Sequence, residues 1–361
     1  MRSFETFGNG KNSYVVSGKE LRLYGCFTIL KVKRSIYEEL CDDALKGVKR
    51  ELAAHFYENG VDVPLTTENK LSGNWIAVAM PDAIPSRLGL MTRFASLLFL
   101  SETAGDMAPR TATSKASPKT HFTRGLAEAL PAISSLDQTS RHKSLSHKSH
   151  RITAIQALTN PLITDLLSTD QSQALDLLHA WCNHFNHPLK NPLQPEHPTT
   201  LQTYLSSRTA TNPWIPTLLF ALGLHLHASE IALLDPAIRA ATTSLLLTKD
   251  YWTWPRVSRS ADNNTRLSNA VAAVMAEHGL SEAKARESVK RAAVDAEMEF
   301  LERKAEIFEG LGGERGEVGV FLEGLEQFVG GCGFWWAAGR VGWGGVVLGW
   351  GGGLKSAGGL W

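Results

Sequence analysis

The chain has 361 residues, enough for one large domain or two ordinary ones, and a formal net charge of +1, which argues against a nucleic-acid binder. Cys26, Cys41, Cys182 and Cys332 stand far apart with no CxxC pair, a pattern of reduced thiols in a cytoplasmic protein rather than a disulfide framework. The opening MRSFETFGNGKNSYVV lacks the apolar segment of a secretory signal, and no run of about 18 apolar residues appears, so no membrane insertion is expected.

Residues 1–30 read as irregular or short extended structure, with YVVSG and LRLYGCFTIL as strand candidates. From Ser35 the pattern turns helical. Apolar Ile36, Leu40, Ala44, Val48, Leu52 and Phe56 recur every four residues and predict one helical stripe, with Gly60 as a C-terminal stop. PSRLGLMTRFASLLFLSETAGD predicts a helix apolar almost all round, hence central. TSKASPKTH and TSRHKSLSHKSHR are rich in Ser, Lys and His and read as solvated loops, the second basic enough to touch anions. Helices are predicted over Thr153–Leu167, Asp170–Phe185, Thr200–Ser207, Pro213–Leu226, Ser229–Trp254, Arg266–Glu277 and Ser281–Glu309, the last N-capped by Ser281. Almost nothing after residue 35 alternates with period two. The expectation is an all-α domain of roughly ten helices over residues 1–330, with its helical core at 35–309. Residues 331–361, from GGCGFWWAAGR onward, are rich in Gly and Trp and show neither period. They read as an atypical tail that does not fold compactly by itself, or as a departure from an ancestral reading frame.

Three places carry chemistry. Glu102 and Asp106 in SETAGD are four apart, on one helical face, and follow the apolar run Leu97–Leu100. Paired carboxylates can hold hard divalent cations such as Mg²⁺, but alone they also read as two solvated acids at a helix end. In LLLTKDYWTWPRV, Asp250 and Thr253 are three apart, again on one face. An acid and a hydroxyl near a helix end before Pro255 is the ordinary alternative. Arg208 in TLQTYLSSRTATN offers a guanidinium fork for phosphate oxygens, or a surface charge.

Taken in order, these segments resemble the class I terpene cyclases of fungi, and in particular the cyclase domain of chimeric prenyltransferase–cyclases that make di- and sesterterpenes. Pro81, Pro85, Arg87, Phe99 and Leu100 match a Pro-x-x-x-Pro-x-Arg stretch leading to Phe-Leu-x-Asp-Asp-x-x-Glu, with Glu102 on the first acid, Thr103 replacing the second and Asp106 on the last. Asp170 and Trp181 match an Asp…Trp helix, and TLQTYLSSR resembles Thr-Leu-x-x-Tyr-x-x-x-Arg, which implies a diphosphate-sensing role for Arg208. TKDYWTWPRV resembles Asn-Asp-x-x-Ser-Trp-x-Lys-Glu, the second metal motif. Asn269, Ala270, Met275, His278, Gly279 and Ala285 match the helix pair that follows. Trp335 and Arg340 lie near the register of a terminal Trp-Ser-x-x-x-x-Arg-Tyr.

The resemblance implies a class I bundle around an apolar cavity. It implies Mg²⁺ as cofactor, held by Glu102, Asp106 and Thr253, with Asp250 beside them as a catalytic acid. Diphosphate contacts would come from Arg208, Lys249, Asp250, Thr253, Arg256 and Arg340, and cavity aromatics from Trp75, Phe94, Trp214, Phe220 and Tyr251. It implies conversion of geranylgeranyl or geranylfarnesyl diphosphate to a cyclic terpene. No prenyltransferase half is apparent, so a separate enzyme would supply that substrate. Two ligand positions depart from the pattern: Lys249 stands where the second motif has Asn, and Val257 where it has Glu. A weakened or inactive homologue is therefore the alternative, and a helical interaction module a third.

Overall fold

The computed structural model describes residues 12–56, 68–69, 73–104, 150–186, 200–209, 211–260, 269–312 and 316–342. Strand β1 (Ser13–Val15) pairs antiparallel with β2 (Lys33–Ser35), and β3 (Glu68–Asn69) with β4 (Gly73–Asn74). All other regular elements among the described residues are helices, as expected for an all-α chain. Helix α1 (Gly18–Leu23) starts at Ser17, whose hydroxyl accepts from the Glu20 N–H, and the chain turns at Gly25 with φ 68°. The strand candidate LRLYGCFTIL is thus a helix end, a turn and an irregular strap; capping chemistry overrides its brief alternation.

Helix α2 (Glu38–Phe56) corrects the predicted stripe. Cys41, Leu45 and Val48 face the core, while Ile36 is 52% and Leu40 43% exposed. The reason is geometric. A strict four-residue step advances about 40° beyond a full turn each time, so six such positions cannot share one face. Helix α3 (Trp75–Ala79), capped by the Asn74 side chain, is buried throughout, and α4 (Pro85–Ala104) buries Leu88, Met91, Phe94, Ala95, Leu97 and Leu98. Gly60 and the predicted TSKASPKTH loop lie outside the described residues.

The bundle continues with α5 (His150–Thr169), α6 (Gln171–Asn186), α7 (Leu201–Thr209), α8 (Trp214–Leu222), α9 (Ala228–Ser260), α10 (Ala270–His278) and α11 (Glu282–Gly310). Each lies within a few residues of its predicted bounds. Ser281 occupies the N-cap position of α11 without a side-chain cap bond. Helix α9 packs against both α11 and the last helix, α12 (Gly316–Gly342), which in turn packs on α3 and α8. By length and composition Ala228–Pro255 is apolar enough to cross a membrane. Charged residues such as Asp235 and Arg239 break its apolar run, and in this fold it is a core helix of the bundle.

Helix α12 overturns the boundary at residue 331. It runs through Gly330, Gly331 and Gly333, and Cys332, Phe334 and Trp335 are buried. Its glycines are a packing device. A Cβ on Gly331 would lie well inside van der Waals contact with the Val78 carbonyl, so the backbones of α12 and α3 meet closely. Residues 343–361 lie outside the described set.

Candidate functional site

One face of α9 builds the site. Ala241, Thr242 and Leu245 line a cleft with Asn212, Trp214 and Ile215 on one side and Leu325, Phe328 and Val329 of α12 on the other. It is a narrow cleft, far smaller than the roughly 300–1,000 Å³ of ordinary ligand pockets. Its two polar groups satisfy each other: Asn212 Nδ2 donates to Thr242 Oγ1 at 2.6 Å, and that hydroxyl donates to the Ile238 carbonyl at 2.7 Å.

Trp214 centres an aromatic network. Its ring lies 4.8 Å from Trp181, 5.4 Å from Trp75 and 5.4 Å from Phe328, and Phe94 meets Trp181 at 5.9 Å. Trp181 Nε1 donates to Thr217 Oγ1 at 2.9 Å, which fixes its plane. Of the five expected cavity aromatics, Trp214 lines the cleft, while Trp75 and Phe94 stand behind it. Phe220 sits under the Arg87 guanidinium at 4.7 Å. Tyr251 points toward α11, with Arg286 4.7 Å above its ring and Phe27 at 5.1 Å. Neither Phe220 nor Tyr251 belongs to the cleft wall. Tyr251 follows Asp250 and Lys249 in sequence, and each residue turns a helix by about 100°, so near neighbours on a helix face different directions.

Asp250 sits on the flank of this face, 5% exposed. Its Oδ2 accepts from Tyr204 Oη at 2.5 Å and from the Ala270 N–H at 2.7 Å. Asn269 donates from Nδ2 to the Asp250 carbonyl at 3.3 Å and caps α10 by accepting from the Val271 N–H. Asp250 thus ties α7 and the positive end of α10 to α9. Burial pushes its carboxyl above the usual carboxylate range, against the pull of the Tyr204 hydrogen bond and of Lys249. Burial first, and the Asp250 charge second, push the Tyr204 phenol upward, while the positive charge of Arg208 opposes them. Arg208, Tyr204 and Asp250 therefore form one cluster.

Thr253 is turned inward on the helix: its Oγ1 donates to the Lys249 carbonyl at 2.9 Å. Lys249 lies one turn beyond Leu245 and is half-buried. Glu102 falls in the last turn of α4 and Arg256 and Arg340 in α9 and α12, but their side chains, and Asp106 altogether, lie outside the described residues. Among the described residues, no group of three or more His, Cys, Asp or Glu side chains is placed to hold a metal. The second motif does not fit one either. Lys249 has no acceptor and Val257 no oxygen, so of the three ligand positions only Thr253, whose hydroxyl proton goes to the Lys249 carbonyl, still offers an oxygen.

Two further polar clusters were not singled out from sequence as site residues. Arg87 donates to the Phe220 carbonyl at 2.5 Å and to Gln173 Oε1 at 2.7 Å, with Asp170 at 3.5 Å and His225 3.3 Å from that carboxylate. Burial lowers the Arg87 guanidinium, and Asp170 opposes it. This cluster locks α4, α6 and α8; its signal was present in the motif positions Arg87 and Asp170. The second is Glu297, 1% exposed, which accepts from the Ile29 N–H at 2.7 Å, Thr28 Oγ1 at 2.9 Å and Ser244 Oγ at 3.2 Å. An acid spaced between Ala293 and Phe300 on an apolar face was the available signal.

A model of terpene synthase family 2, C-terminal metal binding, matches residues 121–299. The chain is 27% identical over 307 residues to the sesterterpene synthase of Colletotrichum orbiculare, covering 81% of this chain and 40% of that protein. It is 26% identical over 301 residues to the preterpestacin I synthase of Cochliobolus heterostrophus, covering 82% and 40%. The chain therefore spans about two-fifths of the length of these relatives. Among solved structures it superposes on aristolochene synthase from Penicillium roqueforti with TM-score 0.57 at 18% identity, over 80% of this chain and 92% of that one. Germacradien-4-ol synthase from Streptomyces citricolor gives 0.60 at 16%, over 86% and 97%. By its helical architecture the chain has the class I terpene synthase fold, and in sequence it is similar to terpene synthase family 2 over residues 121–299 and to sesterterpene and other terpene synthases of fungi.

Proposed function

We propose that the chain binds a linear prenyl diphosphate, geranylgeranyl or geranylfarnesyl in length, and cyclises it. The carrying observation is helix α9, which lines an apolar, aromatic-backed cleft with Thr242 and Leu245 and carries Lys249 one turn further on, with the Arg208–Tyr204–Asp250 cluster on its flank. An apolar chain tipped by an anion matches that polarity. The sesterterpene synthases among the relatives support the longer chain. Bonded in pairs, Asn212 and Thr242 leave the cleft wall without free polar groups to trap an intermediate.

The reaction breaks the C–O bond to diphosphate, with both electrons leaving on oxygen. An alkene electron pair of the same chain then forms the ring bond, and the final cation loses a proton that departs with the diphosphate. Arg208 and Lys249 hold the anion and neutralise charge as it develops. Trp214, backed by Trp75 and Trp181, presents ring faces to the cation and excludes water. A divalent ion supplies further positive charge to the leaving group when bound; Glu102 and Asp106 are the carboxylates proposed for it, and Mg²⁺ the ion. A separate prenyltransferase in the cytoplasm would supply the substrate.

The test is incubation of the chain with each prenyl diphosphate and Mg²⁺, followed by mass spectrometry of extracted hydrocarbons. Cyclic C20 or C25 products are expected. A second reading, a diphosphate-binding homologue without turnover, is favoured by Lys249 and Val257 in the second motif; absence of product from either substrate selects it.

A further inference from the structure

The helix that lines the cleft continues into the second motif. Beyond Thr242 and Leu245, Lys249 and Thr253 follow at four-residue steps, each about 40° further round α9. In the pattern this segment resembles, these positions and the one at 257 supply oxygens to a divalent ion. In this chain they do not form such a set, for the reasons of donor chemistry given above.

The two departures compensate each other. An Asn, Ser and Glu set with one divalent ion carries one net positive charge. Lys249, Thr253 and Val257 carry one net positive charge with no ion at all. Loss of the Glu removes the anion that needed a metal, and gain of the Lys restores the cation the leaving group needs. We infer that Lys249 takes the place of the second-motif metal, and that its ammonium binds the diphosphate group directly with no divalent cation between them.

The surroundings suit this. Lys249 forms no ion pair with another described residue, so its charge is available to a ligand. The acid beside it, Asp250, is buried, accepts from Tyr204 and the Ala270 N–H on Oδ2, and makes no ion pair with the ammonium. Arg208 reaches the same cluster through Tyr204 and adds a second cation. An ammonium on a flexible stem binds phosphate oxygens as a point charge with three donors.

The inference rests on the prenyl diphosphate reading for its ligand, so the experiment separates the two. Inorganic pyrophosphate is titrated calorimetrically into the full chain in EDTA and again in Mg²⁺. Binding in EDTA is expected, weakened at least about tenfold by Lys249→Met or Lys249→Gln and held within about threefold by Lys249→Arg, as for loss of one charged hydrogen-bonding partner. Circular dichroism confirms that each variant is folded, and the two neutral variants guard against failure of either. Pyrophosphate binding that requires Mg²⁺, or that persists in EDTA unchanged in both neutral variants, overturns the inference. Product formed without metal-free pyrophosphate binding overturns it while leaving the cyclase reading intact. Metal-free binding without product does the reverse.

Discussion

Tyr204 is the residue on which the cluster turns, because its hydroxyl donates to Asp250 and feels the charge of Arg208 nearby. Asp250→Ala strands a buried phenol and the Ala270 N–H, and a loss of about 2–4 kcal/mol in urea unfolding is expected. Asp250→Asn keeps an acceptor oxygen for both donors and should cost less than the Ala change. Equal losses for the two variants would show that the hydrogen bonds do not carry the effect. Glu297 gives a pH signature. Burial first raises its carboxyl above the ordinary glutamate value, and the bonds from Ile29, Thr28 and Ser244 only partly offset this. A raised folded value means that its contribution is fully present below the unfolded carboxyl value and is lost as pH rises through the folded one. Glu297→Gln removes that titration. The stability of the variant relative to the parent should therefore improve as pH increases upward from the ordinary glutamate range, read by urea unfolding at several pH values. A constant difference across that range would mean that Glu297 does not titrate between its folded and unfolded values.

Helix α12 shows at the scale of an element why composition misled. Gly-Gly-Cys-Gly-Phe-Trp-Trp has poor helix propensity and no amphipathic period, so it reads as unstructured. It is a helix because α3 and α9 cover it on several sides, and burial all round erases periodicity. Gly331→Ala forces a methyl against the Val78 backbone, which cannot rotate away, whereas Gly324→Ala meets only the flexible end of the Leu222 side chain. Gly331→Ala should cost about 1–3 kcal/mol or more in thermal unfolding, and Gly324→Ala clearly less. Reversal of that order would show that α12 and α3 do not meet at Gly331. The longer helices, by contrast, were readable. Helices α5 to α11 each combine a long apolar pattern with breaks at Gly, Pro or polar loops, and local signals suffice there. On α2 the existence of the helix was readable and its phase was not, because Cys41 and Leu45, rather than Ile36 and Leu40, face α4 and the core.

Across the whole molecule, the motif order pointed to the fold before any geometry, since Arg87, Asp170, Trp181, Tyr204, Arg208 and Asp250 are spread over four helices and the junction of α5 and α6, and this fold brings them into clusters. The site was half readable. Sequence placed Arg208 and Asp250 together but could not show that Asp250 is spent on Tyr204 and Ala270, because those partners are 46 and 20 residues away. What the molecule does with charge is testable by restoring the ligand set. In Lys249→Asn, Val257→Glu, the Asn supplies a neutral oxygen in place of an ammonium, and the Glu supplies an anionic one about two turns further on. Thr253 lies between them, and its hydroxyl oxygen can serve as the third while its proton stays on the carbonyl of residue 249. If charge substitution is the design, the double variant should exchange modes: pyrophosphate binding in EDTA falls by at least about tenfold, and binding in Mg²⁺ strengthens beyond the combined effect of the single changes, since both new oxygens hold one ion. Lys249→Asn alone should lose the metal-free mode without gaining the other, and Val257→Glu alone should weaken anion binding by setting a carboxylate beside the ammonium. The same calorimetric titrations read all three variants. A double variant no more dependent on Mg²⁺ than the parent would mean that position 257 does not face the diphosphate, and that the segment lost its metal by displacement of the helix rather than by exchange of charge.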